Sequence, residues 1–184
     1  MSQFTRRAMI LGGAAAGLSA CVNGIGSNNA AKIDARVERT LAQMYAQYPS
    51  STTLVQKSTG MLVMPLMTEA GLGIGGGYGR GAMMIDNAIV DYYSAAKANI
   101  GLQVGAQQYA HILFFMTDDA LSAFRASRGW AAGAEVEYAF RDSGQTFKSD
   151  TIVTTAPVIA AVFGQAGLLV GATLEGVKYT RIIP

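Results

Sequence analysis

The sequence holds one cysteine and one histidine in 184 residues. A lone cysteine excludes an internal disulfide framework and any multi-cysteine metal site. A lone histidine excludes the two-histidine metal motifs. Charge is sparse too, at 14% of residues against roughly 25% in an average soluble domain. Such a composition is not that of a charged disordered tail, and the length suits one ordinary domain. The apolar run from Ala8 to Ala20 is thirteen residues, too short for a membrane-spanning helix, which needs about 20. What the chain has in excess is glycine, at 22 residues, or about 12% against a usual ~7%.

The short apolar run fits an export signal (residues 1–20). Arg6 and Arg7 form its charged n-region. The paired arginines point to the twin-arginine route, with general secretion as the alternative, since no bulky aromatic follows them closely. The run ends Leu18-Ser19-Ala20-Cys21, which resembles the bacterial lipobox. There the signal is cut before a cysteine that takes up diacylglycerol and a palmitate-type acyl chain. Cys21 is therefore the expected lipidation site, and its thiol would be consumed as a thioether. Val22 in place of an acidic residue favours the outer membrane, facing the periplasm, by analogy with bacterial sorting rules. Residues 21–30 then read as lipidated cysteine and tether, and residues 31–184 as one domain. Without Arg6 and Arg7 the 14 basic residues become 12, equal to the 12 acidic ones. The basic character thus belongs to the signal, and no nucleic-acid partner is expected.

From Lys32 the pattern is helical. Ile33, Val37, Leu41, Met44 and Tyr48 form one stripe at spacings of three and four, and Pro49 ends it. Lys32, Arg36 and Arg39 share another face, with Asp34 and Glu38 flanking. That face reads either as solvated mixed charge or as a basic stripe against acidic lipid headgroups. A second short helix is expected over 51–57. After Gly60 the period becomes two. Gln103, Gln107 and His111 fall on one face of 101–115, and Leu102, Val104, Ala106, Ala110, Ile112 and Phe114 on the other. Alternation returns at 134–141 and at 168–174, where Gly176 shifts the phase and predicts a bulge or bend. Asp142-Ser143-Gly144-Gln145 reads as a hairpin turn. One short internal helix is expected over 118–127, capped by Thr117, with Asp118 and Asp119 in its first turn. Those two acids are helix-start residues rather than a metal pair. The fold expected is α+β: a curved, mostly antiparallel, glycine-rich sheet, barrel-like, with an N-terminal amphipathic helix and a short internal one.

Residues 71–81 read GLGIGGGYGRG, with Gly71, Gly73, Gly75, Gly77, Gly79 and Gly81 all at odd positions. Strand side chains alternate faces, so one face is bare while the other shows Leu72, Ile74, Tyr78 and Arg80. The same stretch contains G-x-G-x-x-G, but no helix follows it, which excludes a dinucleotide loop. Strand glycines each cost roughly 0.5–1 kcal/mol relative to Ala. Six at one parity imply that another backbone, a helix or a ligand comes close there. A helix lying on that face and a groove for a lipid chain are the two readings weighed. The pattern Gly-Leu-x-(Ile/Val)-Gly-(Gly/Ala) at 71–76 recurs at 167–172 and, shortened, at 101–106. This echo suggests glycine at equivalent bends of several strands.

AGLGIGGGYGRG, then Gly101-Leu102-Gln103-Val104-Gly105-Ala106-Gln107, then Leu113-Phe114-Phe115-Met116-Thr117-Asp118, Gly129-Trp130 and Gly167-Leu168-Leu169-Val170-Gly171 together resemble the SYLF domain. This family is also called the Las17-binding or actin-regulator domain, and the resemblance extends over about 32–183. It implies binding of acidic phospholipids or phosphoinositides at a membrane surface, partly through an N-terminal amphipathic helix. Lys32, Arg36 and Arg39 are the headgroup candidates on that helix. A bacterial envelope protein meets no actin in its own cell, so the actin role is not carried over.

Three classes of function follow for comparison. The leading one is a non-enzymatic envelope lipoprotein that binds membrane phospholipids. The alternative is a structural or scaffolding envelope protein with a protein partner, for which Tyr92, Tyr93 and Trp130 are the aromatic candidates. An enzyme is not expected, and no catalytic, metal or cofactor site is assigned. His111 reads as a sheet-face histidine bonded to a neighbour rather than a base.

Overall fold

A computed structural model describes residues 29–133, 135–141, 156–167 and 173–184. The signal, Cys21, the tether up to residue 28, the expected turn at 142–145 and the expected alternation at 168–172 lie outside these. Helix α1 spans Asn29–Gln47 and α2 Ser51–Lys57, as their periodicity predicts. The α1 stripe buries Ile33, Val37, Thr40 and Met44; Leu41 and Tyr48 are only half-buried. Two long strands follow, β1 (Gly60–Ile85) and β2 (Ala88–Phe115). Asp86 and Asn87 join them, with φ of 49° and 62°. Positive φ at both central positions gives the tight hairpin turn whose twist suits the flanking strands, and Asn and Asp tolerate it. Helix α3 (Asp118–Ala126) starts as expected, the Thr117 hydroxyl accepting from the Ala120 N–H at 3.2 Å. The remaining strands are β3 (Trp130–Ala131), β4 (Val136–Arg141), β5 (Val158–Gly167) and β6 (Lys178–Ile182).

β2 is the axis of the sheet. One edge carries β1 along its whole length, from Ile85↔Ala88 at the turn to Gly60↔Phe115 at the far end. The other edge is shared, β6 pairing with 92–96 and β5 with 107–115. β3 extends the sheet beyond β6, and β4 extends it beyond β5. All pairs are antiparallel except β4 with β5. The β1–β2 ladder is broken between Leu72 and Ile74, and there the long hairpin bends over so that its two halves face each other. The result is a curled half-barrel, as the barrel-like expectation had it.

Two of the echoed glycine segments, 71–76 and 101–106, meet at this bend. Gly71 pairs with Gly105, whose φ is 142°, and Gln107 beside it pairs with Gly167. The copy at 167–172 lies outside the described residues except for Gly167. Gly176, with φ of 74°, sits in a turn that leads into β6 rather than in a bulge of a continuous strand. Its expected change of direction is present, outside the sheet ladder.

The core has two parts. Inside the half-barrel, Leu62, Met64, Met67, Met83, Leu113 and Phe115 pack with Phe124 of α3 and Tyr179 of β6. Outside it, Met61, Val63, Ile112, Phe114, Ile159 and Phe163 are covered by α1 and α2 through Ile33, Val37, Met44 and Leu54. Phe124 closes one end of the barrel. Its ring lies 4.8 Å from Phe115, 4.9 Å from Tyr93 and 5.3 Å from Trp130. Tyr93 is thus a core residue and Trp130 packs against the core, which takes both from the surface offered to a protein partner. Among the described residues no helix is long and apolar enough to cross a membrane.

Candidate functional site

The bare glycine face takes neither a helix nor a lipid chain. It is covered by the first half of β1 itself. A Cβ on Gly75 would stand 2.6 Å from the Ala70 carbonyl oxygen and 2.7 Å from the Gly71 Cα. On Gly79 it would stand 2.5 Å from both the Leu66 carbonyl oxygen and the Met67 sulfur; on Gly77, 2.7 Å from the Glu69 side chain; on Gly81, inside the Val63 carbonyl oxygen. Strand parity sends the odd glycines inward, and bending the hairpin brings backbone onto backbone. Only glycine leaves room for that approach.

α1 lies over the seam where the two halves of β1 meet. Asn29, Lys32, Ile33 and Arg36 of the helix face Leu66, Thr68, Tyr78, Gly79 and Arg80 of the strand across an open groove of about 540 Å³. A shallower depression of about 300 Å³ continues it, with Arg36, Arg39, Thr40 and Gln43 opposite Pro65 and Leu66. The three helix cations named from the sequence therefore line one trough, and the structure adds Arg80 to them. Among the described residues no carboxylate lines either part.

The flanking acids are turned away for a reason of helix geometry. At about 100° per residue, Asp34 and Glu38 fall far round the cylinder from Lys32, Arg36 and Arg39, with the buried stripe between the two groups on one side. Asp34 is further occupied by a hydrogen bond from the Tyr92 hydroxyl at 3.0 Å. Two of the bases make local contacts. Arg39 donates from Nε to the Ala35 carbonyl at 3.0 Å. Arg80 donates from Nε to the Tyr78 hydroxyl at 3.0 Å, and its guanidinium lies 5.9 Å from the centre of that ring. The N-terminal turn of α1 adds partial positive charge at the same end. The chemistry such a trough can perform is reversible capture of anionic oxygens. Arg80 and Tyr78 were visible in the sequence as the exposed face of the glycine strand. Their place beside α1 was not, because it depends on the bend.

The ionisable groups inside the barrel have a different character. The Glu69 carboxylate is buried and accepts from the Tyr109 hydroxyl at 2.6 Å and from Gln107 Nε2 at 2.8 Å, with the Lys97 ammonium at 3.8 Å. Lys97 also donates to the Thr173 carbonyl at 2.7 Å. Burial, then the bond to Glu69, pushes the Tyr109 hydroxyl far above the usual tyrosine range. Asp91, also buried, pairs with Arg125 at 3.2 Å and with Arg181. His111 is wholly buried, its Nε2 2.8 Å from the Tyr179 hydroxyl, and burial lowers its pKa to about 3. It is the neighbour-bonded sheet histidine that the sequence suggests. Most polar atoms of these networks are paired, Gln107 Oε1 and His111 Nδ1 excepted among the described residues, and none of these side chains lines the groove.

No curated protein matches the chain. The stretch 96–181, from within β2 to within β6, matches the Ysc84 family model, described as Las17-binding protein actin regulator. The match thus carries the SYLF resemblance over the second part of the sheet, and α1, β1 and the cationic groove precede it.

Proposed function

We propose that this chain is a non-enzymatic lipid-binding protein that docks on acidic phospholipid headgroups, phosphoinositides included, through the groove between α1 and β1. The observation that carries the reading is the gathering of Lys32, Arg36, Arg39 and Arg80 in one trough that no carboxylate lines among the described residues. Near an anionic leaflet each such cation contributes about 1 kcal/mol. Four together give an attraction that is useful yet reversible by salt. The family match over 96–181 is compatible with a lipid or a protein partner. The lipid reading is preferred because the aromatic candidates for a protein surface pack against the core.

The reading extends to the leader. Cys21 carries the acyl anchor of a lipoprotein of the bacterial cell envelope, held at the outer membrane and facing the periplasm. Residues 22–28 then separate the anchor from the start of α1, and Asn29 itself lines the groove. Seven residues span at most about 25 Å, so a tethered groove stays within reach of headgroups and weak affinity is raised by effective concentration.

Co-sedimentation of the full-length Cys21→Ser chain with vesicles tests the groove. Binding to vesicles with 30% acidic phospholipid, lost in high salt and absent from neutral phosphatidylcholine, is expected. Equal binding to both vesicle types would refute the electrostatic reading. Growth with a labelled fatty acid tests the anchor: label is expected on the wild-type chain, and label that persists in Cys21→Ser would place it elsewhere.

A further inference from the structure

The bend of the β1–β2 hairpin ends in two exposed aliphatic side chains. Leu72 and Ile74 are each 78% exposed, on the strand face that points away from the barrel. The ladder places Val104 and Ile100 opposite them. We infer that this bend is a membrane-inserting wedge, Leu72 and Ile74 entering the acyl region of an acidic bilayer while the neighbouring groove holds its headgroups. The inference rests on the lipid reading of the groove and adds to it the depth and orientation of docking.

The order of side chains along the strand carries the argument. Positions 72, 74, 78 and 80 share one parity, and they run aliphatic, aliphatic, aromatic, cationic. Tyr78 is half-exposed, and both it and Arg80 line the groove with Lys32 and Arg36. At about 3.3 Å per residue, Tyr78 stands roughly 13 Å from Ile74. That distance covers a few ångströms of hydrocarbon plus a headgroup layer of roughly 5–7 Å. Aliphatic tips in the acyl boundary, an aromatic ring at the interface and cations at the phosphates is the sequence of chemistries a bilayer presents on the way out. A protein partner or a second copy would require no such order. The opposite end of the barrel, closed by Phe124 and Leu121 of α3, also carries exposed aliphatic side chains, Val90 at 42% and Ile183 at 86%, but neither lines the cationic groove.

The test uses the chain's single native cysteine to advantage. In the full-length Cys21→Ser background, Ile74→Cys or Ser122→Cys is labelled with an environment-sensitive fluorophore. Ser122 lies on the exposed side of α3 and serves as the distal site. Vesicles of phosphatidylcholine with 30% phosphatidylglycerol carry bromine on the acyl chains. The expected result is a blue shift and strong quenching at position 74 and neither at 122. Leu72→Ser/Ile74→Ser in the same background should weaken vesicle binding by about ten- to a hundredfold with unchanged far-ultraviolet circular dichroism. If that variant does not fold, the probe measurement stands alone. Acidic vesicles bound with the probe at 74 still in water would overturn the wedge and leave the groove reading intact. No binding at all would remove both. A blue shift at 74 that grows with protein concentration in the absence of vesicles would replace the bilayer with a second copy and overturn the inference.

Discussion

His111 offers the sharpest check on the interior of the barrel. Its ring is fully buried between β1 and β5, opposite Met64 and Val162 in the ladders. One nitrogen meets the Tyr179 hydroxyl, and among the described residues Nδ1 has no partner. A proton added to this ring would place a charge in apolar surroundings with a donor left unpaired. Burial therefore lowers the pKa from 6.5 to about 3. The unfolded chain takes the proton near pH 6.5 and the folded chain refuses it, so the unfolded state binds more protons between those values. Stability is then complete above pH 6.5 and falls as the pH drops towards 3. Each pH unit in that window favours unfolding about tenfold. By pH 4.5 the loss is about a hundredfold, or roughly 3 kcal/mol, a large share of the 5–15 kcal/mol typical of a domain. Urea melts at pH 7, 5.5 and 4.5, read by the fluorescence of Trp130 against Phe124 and Tyr179, give the wild-type slope. The same melts on His111→Gln remove this one titration and leave the carboxylates in place. The wild-type chain should lose about 3 kcal/mol more than the variant between pH 7 and 4.5. Parallel losses in the two proteins would refute the neutral, buried ring.

The other predictions concern the bend, the groove and the internal helix. Gly79→Ala drives a methyl group into the Leu66 carbonyl and the Met67 sulfur and should cost about 3 kcal/mol, seen as a large drop in melting temperature. Arg36→Gln and Arg80→Gln should each weaken binding to acidic vesicles about fivefold without shifting the melt, because Arg36 is exposed and Arg80 bonds to its strand neighbour Tyr78. Thr117→Ala removes the cap of α3 and should cost about 1 kcal/mol in a urea melt, while Thr117→Ser should restore most of it.

Much of this architecture was legible because it is local. The stripe of α1, the 51–57 helix and the capped start at Thr117 depend on neighbours within a few residues. The parity of Gly71 to Gly81 follows from the strand period alone. What filled the glycine face was not legible. Gly79 meets Leu66 and Gly81 meets Val63 only because the same strand turns back over itself, and no periodicity announces a partner earlier in the same strand. The alternation at 101–115 misled in one respect. It set Gln107 and His111 apart from the apolar face, yet Tyr109, Leu113 and Phe115 share their side and these five are all buried, since a half-barrel encloses one face while helices cover the other; Gln103 of the same face lies outside the described side chains. The groove divides along the same line. Lys32, Arg36 and Arg39 are helix neighbours and could be found by spacing, whereas Arg80 joins them through tertiary folding.

The glycine closure and the exposed bend are two consequences of one device. When the hairpin folds so tightly that Gly71 and Gly75 touch, no interior volume remains between the layers at that point. Side chains at 72 and 74 cannot turn inward, because the space there is already occupied by backbone. They can only point out. A sequence that needed nothing at this bend would be expected to place polar residues there, since two aliphatic groups left in water gain none of the roughly 1.5–3 kcal/mol that burial of each supplies. Leucine and isoleucine at a place where the fold forbids internal burial therefore call for an external apolar phase. Replacing them by serine should leave folding stability nearly unchanged and alter only association, which separates a surface kept for contact from one that merely failed to be buried.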